Sequence, residues 1–227
     1  MAQAAGEILQ GADPEAVDDS YLPAADATGL LALRRAAILR EQVRARRLIH
    51  ALCALEASRT PFVVHELETA HRLAAGAALI SVRIDRVDRL EDGSFAILDY
   101  KSGRAITPDW EVSRTTHPQL LVYLLAADVP VSALAVAHLD PKSVVFKGIA
   151  DQDSRLPGVK ALAGENWAQQ LQLWDAQVAQ LAGDFIRGEA RVDPMDKACD
   201  YCHLHAFCRI ADLDAADATE VADESLE

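Results

Sequence analysis

Asp85, Asp99 and Lys101 are the residues of this chain best suited to chemistry. They sit in Arg83-Ile84-Asp85-Arg86-Val87-Asp88 and in Asp99-Tyr100-Lys101-Ser102-Gly103. Two carboxylates and an amine crowded together destabilise a fold unless something binds there. A divalent metal with a phosphate is the obvious occupant. Mg²⁺ prefers octahedral oxygen ligands and usually takes only one or two carboxylates, leaving positions for water and substrate. Asp85 and Asp99 meet that demand, and the Tyr100 carbonyl offers a third oxygen. A bound metal activates water and stabilises charge on the phosphate. Lys101 would orient or deprotonate the water, or neutralise the pentavalent phosphate. Asp-x-Lys is common on its own, however, and a solvated hairpin end in which Lys101 merely pairs with Asp99 reads the same way.

Convergence requires a hairpin. Strands are expected over residues 78–90 and 94–101, joined through Glu91-Asp92-Gly93-Ser94, where Gly supplies the positive φ of a tight turn. Side chains alternate along a strand, so Phe95, Ile97, Asp99 and Lys101 share one face. A three-residue loop with Gly in the left-handed region sets Asp85 across from Asp99. A two-residue loop puts it on the opposite face, and the pattern leaves both open.

Around this hairpin the pattern is helix, three strands, helix, strand. A helix is expected from Leu30 to about Ser58, and a strand over 61–69. A helix over 116–127 and strands over 132–139 and 143–149 follow. This is an α/β plan. Gln119 and Tyr123 are four residues apart and share a helical face. Trp167, Leu171, Trp174, Val178, Leu181 and Phe185 alternate steps of four and three, which predicts one apolar packing stripe on a long helix closed by Gly188. Arg34, Arg35, Arg40, Arg44, Arg46 and Arg47 cluster on the first helix, as a solvated face or a grip for phosphates. Walker and dinucleotide-binding fingerprints are absent.

The order of motifs resembles the PD-(D/E)XK nuclease superfamily, most closely its RecB/AddB-like branch. Members carry a Gly-or-Arg-x-Asp-Arg-x-Asp strand, an Asp-Tyr-Lys-Thr/Ser-Gly strand and a Gln-x-x-x-Tyr helix in this order. Arg83–Asp88, Asp99–Gly103 and Gln119…Tyr123 stand in those places, and Pro61-Phe62-Val63-Val64…Glu68 is similar to the preceding strand. The likeness covers roughly residues 45–210. It implies a restriction-endonuclease-like core, a mixed central sheet flanked by helices, with a C-terminal cysteine segment. It also implies Asp85 and Asp99 as carboxylates for Mg²⁺ or Mn²⁺, Lys101 as the catalytic lysine, and Gln119 and Tyr123 lining the site. The implied activity is DNA cleavage in repair or recombination, beside a helicase partner or as part of a longer helicase chain. A nuclease-like module kept for DNA binding or assembly, and a zinc-stabilised adaptor, are the competing readings.

Cys199-Asp200-Tyr201-Cys202-His203-Leu204-His205-Ala206-Phe207-Cys208 is the second signal. Thiols at these spacings suit tetrahedral zinc or an iron–sulfur cluster. In AddB-like nucleases such a Cys-x2-Cys-x5-Cys run joins one upstream cysteine to hold a 4Fe-4S cluster, so Cys199, Cys202 and Cys208 are its expected ligands here. The fourth is open among Cys53, His203, His205 and a group outside the chain. Cys53 lies closer to the Pro61 strand than the family's cysteine and reads as a small apolar core residue. His50 superficially suits the metal-assisting histidine of RecB-like nucleases but reads as an exposed helix histidine. These departures fit a C-terminal portion of a longer protein, or a variant that has shed its front.

The 227 residues suit one sizeable domain. The expected layout is an acidic extension over 1–28, a nuclease-like domain over 29–210 including the cysteine motif at 199–208, and an acidic tail over 211–227. Net charge is −13, which disfavours phosphate binding. The acids are concentrated at the ends, six within 1–28 and seven within 211–227, where Lys and Arg are absent. The 22 remaining acids balance 22 bases. Disordered, solubilising ends are expected. No apolar run spans a membrane and no secretory leader is evident, so a cytoplasmic, reducing location is expected.

Overall fold

The computed structural model describes residues 32–102, 110, 115, 117–162, 166–195, 198–200 and 202–208. The acidic extension over 1–28 and the tail over 211–227 lie outside the described residues. The chain divides between Gly183 and Asp184 into two compact units.

The first unit begins with helix α1 (Ala32–Glu56), which ends just before Pro61, a residue that cannot continue a helix. Strands β1 (Phe62–Ala75), β2 (Ala78–Leu90) and β3 (Phe95–Ser102) follow as an antiparallel meander. Helix α2 (Gln119–Ala126) then carries the chain to β4 (Val131–Asp140), which pairs parallel to β3. Strand β5 (Ser143–Ala150) returns antiparallel, and the short β6 (Lys160–Ala161) pairs parallel to it. The result is a six-stranded mixed sheet in the order β1-β2-β3-β4-β5-β6. Helix α3 (Trp167–Arg187) comes next.

Alternation along β3 and β4 sorts the core onto two faces. Phe95, Ile97, Leu134 and Val136 pack with Leu120, Leu121 and Leu124 of α2 and with Trp174 and Val178 of α3. On the other face Ala96, Leu98, Ala133, Ala135 and Ala137 pack with Phe146, Leu156 and Val159. There Leu48 and Leu52 of α1 also meet Leu139, Tyr100 and Val144. Fully burying each large apolar side chain contributes about 1.5–3 kcal/mol.

Three expectations about elements need correction. β1 runs to Ala75 rather than stopping at residue 69, because a two-residue loop containing Gly76 at φ 58° lets it pair with the whole of β2. β6 has only two residues, too few to show a period. The apolar stripe of α3 drifts: Trp174, Val178 and Ala182 are buried, whereas Leu181 is 43% and Phe185 83% exposed. Seven residues of an ideal helix fall only about 20° short of two turns, so Leu181 and Phe185 keep nearly the direction of Trp174 and Val178, and their exposure comes where the buried cluster stops at Ala182.

In the second unit Gly188, at φ 69°, ends α3, with Glu189 N–H bonded to Asp184 O at 2.9 Å. A short helix α4 (His205–Cys208) closes the described chain. No helix among the described residues is long and apolar enough to cross a membrane.

Candidate active site

The β2–β3 turn sets the position of the two aspartates. Leu90 N–H donates to Ser94 O at 2.8 Å, enclosing the three-residue loop Glu91-Asp92-Gly93. Gly93 adopts φ 85°, the left-handed conformation that glycine reaches without steric cost. Asp92 Oδ1 braces the loop by accepting from Ser94 N–H at 3.0 Å and Ser94 Oγ at 2.6 Å. Hydrogen bonds from Ser94, with Arg155 beside it, lower the Asp92 carboxyl to about 2. The ladder runs from Arg89 opposite Phe95 to Arg86 opposite Leu98. One further step sets Asp85 across from Asp99, the odd-loop geometry of the two alternatives.

Asp99, only 1% exposed, lies at the centre of the site. Its Oδ1 accepts from Gln119 Nε2 at 3.0 Å and from Lys101 Nζ at 3.3 Å. Its Oδ2 lies 3.0 Å from the same Nζ in an ion pair and accepts no hydrogen bond. Gln119 Oε1 accepts from Lys101 Nζ at 2.8 Å, and Gln119 Nε2 also donates to Tyr123 Oη at 2.6 Å. Asp85 Oδ2 accepts the Tyr100 N–H at 3.0 Å. Asp85, Asp99, Lys101, Gln119 and Tyr123 are thus brought together, with the Tyr100 backbone between the two carboxylates.

Burial pushes the Asp99 carboxyl above the usual carboxylate range, and Asp85 adds to this, while Lys101 opposes it. Burial likewise raises the Tyr123 phenol, aided by both aspartates. A cavity of about 520 Å³ opens on Asp99, Lys101 and Gln119, with Ile80, Val82 and Trp110 on its apolar side. Trp110 is held there by its indole N–H to His117 O at 3.0 Å and by Trp174, whose indole N–H reaches Trp110 O at 2.8 Å.

Over residues 2–209 the sequence matches the family described as the PD-(D/E)XK nuclease superfamily. The chain belongs to that superfamily. No curated protein matches it. Among solved structures, one described as the crystal structure of SSO0001 is similar at 18% identity and a TM-score of 0.39. That match covers 76% of this chain and 70% of that one, too loose a likeness to carry an argument.

Members of the superfamily are metal-dependent phosphodiesterases, and the donor set here fits a divalent ion. Asp99 Oδ2 is buried and accepts no hydrogen bond, and its one ionic contact among the described residues is the Lys101 ammonium at 3.0 Å, so the carboxylate keeps acceptor capacity for a divalent ion. No third His, Cys, Asp or Glu joins the two aspartates among the described residues. Two carboxylates suffice for Mg²⁺, which keeps most of its water. His50 is exposed on α1.

Beneath the site lies a charge network that sequence reasoning missed. Arg86, fully buried, donates to Asp88 Oδ1 at 2.6 Å, Glu56 Oε1 at 2.7 Å and Tyr100 Oη at 2.9 Å. Arg59 Nη1 adds bonds to Glu56 at 2.6 Å and Asp88 at 2.7 Å, and its guanidinium stacks 3.8 Å above the Phe62 ring. Burial opposes the charge on Arg86, but Asp88, Tyr100 and Glu56 outweigh it. Burial pushes the Tyr100 phenol up to about 12. The available signal was Arg86 and Asp88 in the parity of Leu90, which places two charges on an inward face.

Glu68 was read only as part of the first strand, and its backbone conformation was missed. It falls between the pairs Leu67–Arg86 and Thr69–Ile84, opposite Asp85, and has φ 50°. Ile80, Val82 and Ile84 join the core under α2, and so does Val87, so the inward parity of β2 changes around Asp85. A non-glycine residue in the left-handed region is uncommon in a strand and marks a local irregularity.

Cys199, Cys202 and Cys208 are free, half-buried thiols in the second unit. Cys202 N–H donates to Cys199 O at 3.2 Å, and Leu204 N–H reaches Cys202 Sγ at 3.3 Å. No three His, Cys, Asp or Glu side chains among the described residues form a metal-binding group. Burial, and then Glu56, push the Cys53 thiol up.

Proposed function

We propose that this chain is a Mg²⁺- or Mn²⁺-dependent nuclease domain that cleaves DNA phosphodiester bonds. The observation that carries the reading is the buried, unbonded Asp99 Oδ2 set opposite Asp85 and beside Lys101. Asp85, Asp99 and the Tyr100 carbonyl would hold the ion, which supplies positive charge to the phosphate and lowers the pKa of a water. Lys101 is aimed into the same space by Gln119 and Asp99, where its ammonium can donate to a phosphate oxygen as charge develops. Tyr123 steadies Gln119, so the Lys101 head group meets the substrate already oriented. The apolar wall of Ile80, Val82 and Trp110 suits the sugar and base beside the scissile phosphate.

The motif order supports placement in the RecB/AddB-like branch, with a role in DNA repair beside a helicase. The cysteine run supports a 4Fe-4S cluster, or zinc, as a structural staple. No catalytic step is assigned to it. Metal analysis and a UV–visible spectrum of anaerobically purified protein test the staple, and colourless, metal-free protein would end it.

The activity is tested with end-labelled linear DNA and circular DNA, with and without Mn²⁺. Metal-dependent cleavage that disappears in Asp99→Ala and Lys101→Ala is expected. Cleavage by both variants at the parent rate would refute the assignment. Mn²⁺ binding without any cleavage would favour a module retained for DNA binding or assembly.

A further inference from the structure

A second groove lies at the same end of the sheet as the active site, on the opposite face. Leu39, Val43, Leu48 and Ala51 of α1 form one wall, and Asp140–Val144 at the β4–β5 turn form the other, enclosing about 710 Å³. Arg40, Arg44 and Arg47 line it from the helix, and Lys142 from the turn. Steps of four and three set the three arginines along one helical face. The acids facing them are Glu41 and Asp140. Glu41 pairs with Arg44 at 2.8 Å, and Asp140 accepts the Lys142 backbone N–H at 2.8 Å. Arg40, Arg47 and Lys142 therefore present cations with no ion-pair partner among the described residues.

The groove and the active site share no lining residue, but both border the Asp99–Lys101 end of β3. Leu48 and Val144 of its floor pack against Tyr100, whose chain neighbours are Asp99 and Lys101. Lys101 pairs with His138 of β4, two residues before the turn that carries Lys142. A strand crossing this end of the sheet would reach both places.

We propose that this groove holds the sugar–phosphate backbone of the DNA strand being cleaved, with Arg40, Arg47 and Lys142 as phosphate contacts. This rests on the nuclease reading and adds the path by which substrate reaches it. Arg40 and Arg47 are about 10 Å apart along the helix axis. That spacing lets the two guanidiniums reach different phosphates of one strand. The apolar floor accepts deoxyribose faces between those contacts.

The test is fluorescence anisotropy of a labelled single-stranded oligonucleotide in EDTA across a salt series, with Mn²⁺-dependent cleavage followed on the same preparations. Each single-strand phosphate contact contributes about 0.7 to the salt slope, so R40Q/R47Q/K142Q should lower the slope by about two. It should also weaken binding at least about tenfold near 100 mM salt. The control R89Q/K160Q, two cations at the other end of the sheet, should bind within about twofold of the parent. If the triple variant binds and cuts like that control, the groove is not the path and the nuclease reading stands. If the parent neither binds nor cuts, both fall. Displacement of the oligonucleotide by polyglutamate of equal charge at lower concentration than by unlabelled DNA would assign the groove to an acidic protein segment and overturn the proposal.

Discussion

Asp85 is tied to the backbone of Tyr100, its Oδ2 accepting the Tyr100 N–H at 3.0 Å. The bond positions one proposed metal carboxylate on the peptide that bears the other, and it separates two roles of Asp85. Asp85→Asn keeps a carbonyl acceptor for that N–H but removes the charge. Unfolding by urea should therefore leave Asp85→Asn close to the parent, whereas Asp85→Ala loses about 1 kcal/mol. Mn²⁺ affinity should fall in both, by at least about tenfold, and cleavage with it. Calorimetric titration checks this, and undiminished Mn²⁺ binding by Asp85→Asn would remove Asp85 from the metal site.

Gln119 links Asp99, Lys101 and Tyr123 with one amide. It touches no metal in the proposed arrangement and acts by positioning. Gln119→Ala should lower kcat by about tenfold to a hundredfold while DNA binding changes little. Tyr123→Phe removes only the hydroxyl that accepts from Gln119, and its effect should be smaller and in the same direction. A rise in KM with kcat unchanged would instead make Gln119 a substrate contact.

Asp92 connects loop register to pH. Its carboxyl is lowered from the usual 3.8 to about 2, so its contribution to stability is present above the unfolded value and is lost as pH falls towards the folded one. Asp92→Asn retains an acceptor for Ser94 but not the charge facing Arg155. The carboxylate is 46% exposed, so the charge contributes only about 0.5–1 kcal/mol. The stability gap between parent and variant should be full near neutral pH and close as pH drops from about 4 towards 2. A gap that persists unchanged at low pH would mean the Arg155 pair contributes nothing.

The hairpin and the shared face of Asp99 and Lys101 were legible because each follows from a local rule, Gly at positive φ and alternation along a strand, whereas the loop length, two residues or three, was left open. The Gln119–Tyr123 pair was legible from helical spacing. What escaped is non-local. Glu56 and Arg86 are thirty residues apart yet 2.7 Å from each other, and no period within either element announces that contact. The positive φ of Glu68 escaped too, because a glutamate carries no sign of a left-handed backbone, and the change of inward parity in β2 goes with it. On α3 the stripe was read one step too far, since the buried cluster stops at Ala182 and a period within the helix does not show where its partners end.

Arg86 offers the most demanding test of how the site is supported. It is buried between Asp88 and Glu56 and donates to Tyr100 Oη, on the residue whose backbone lies between the two aspartates. Arg86→Met would leave two buried carboxylates with Arg59 as their only guanidinium among the described residues. Breaking such a network by removing one member costs about 3–5 kcal/mol, because the remaining charges stay desolvated. Neutralising a partner should restore part of that loss, so Arg86→Met/Asp88→Asn is expected to be more stable than Arg86→Met alone, despite carrying a second substitution. Urea unfolding of the parent, both single variants and the double variant measures the coupling. Strictly additive losses would show that Arg86 and Asp88 act independently, and that the network does not hold Tyr100 as a unit.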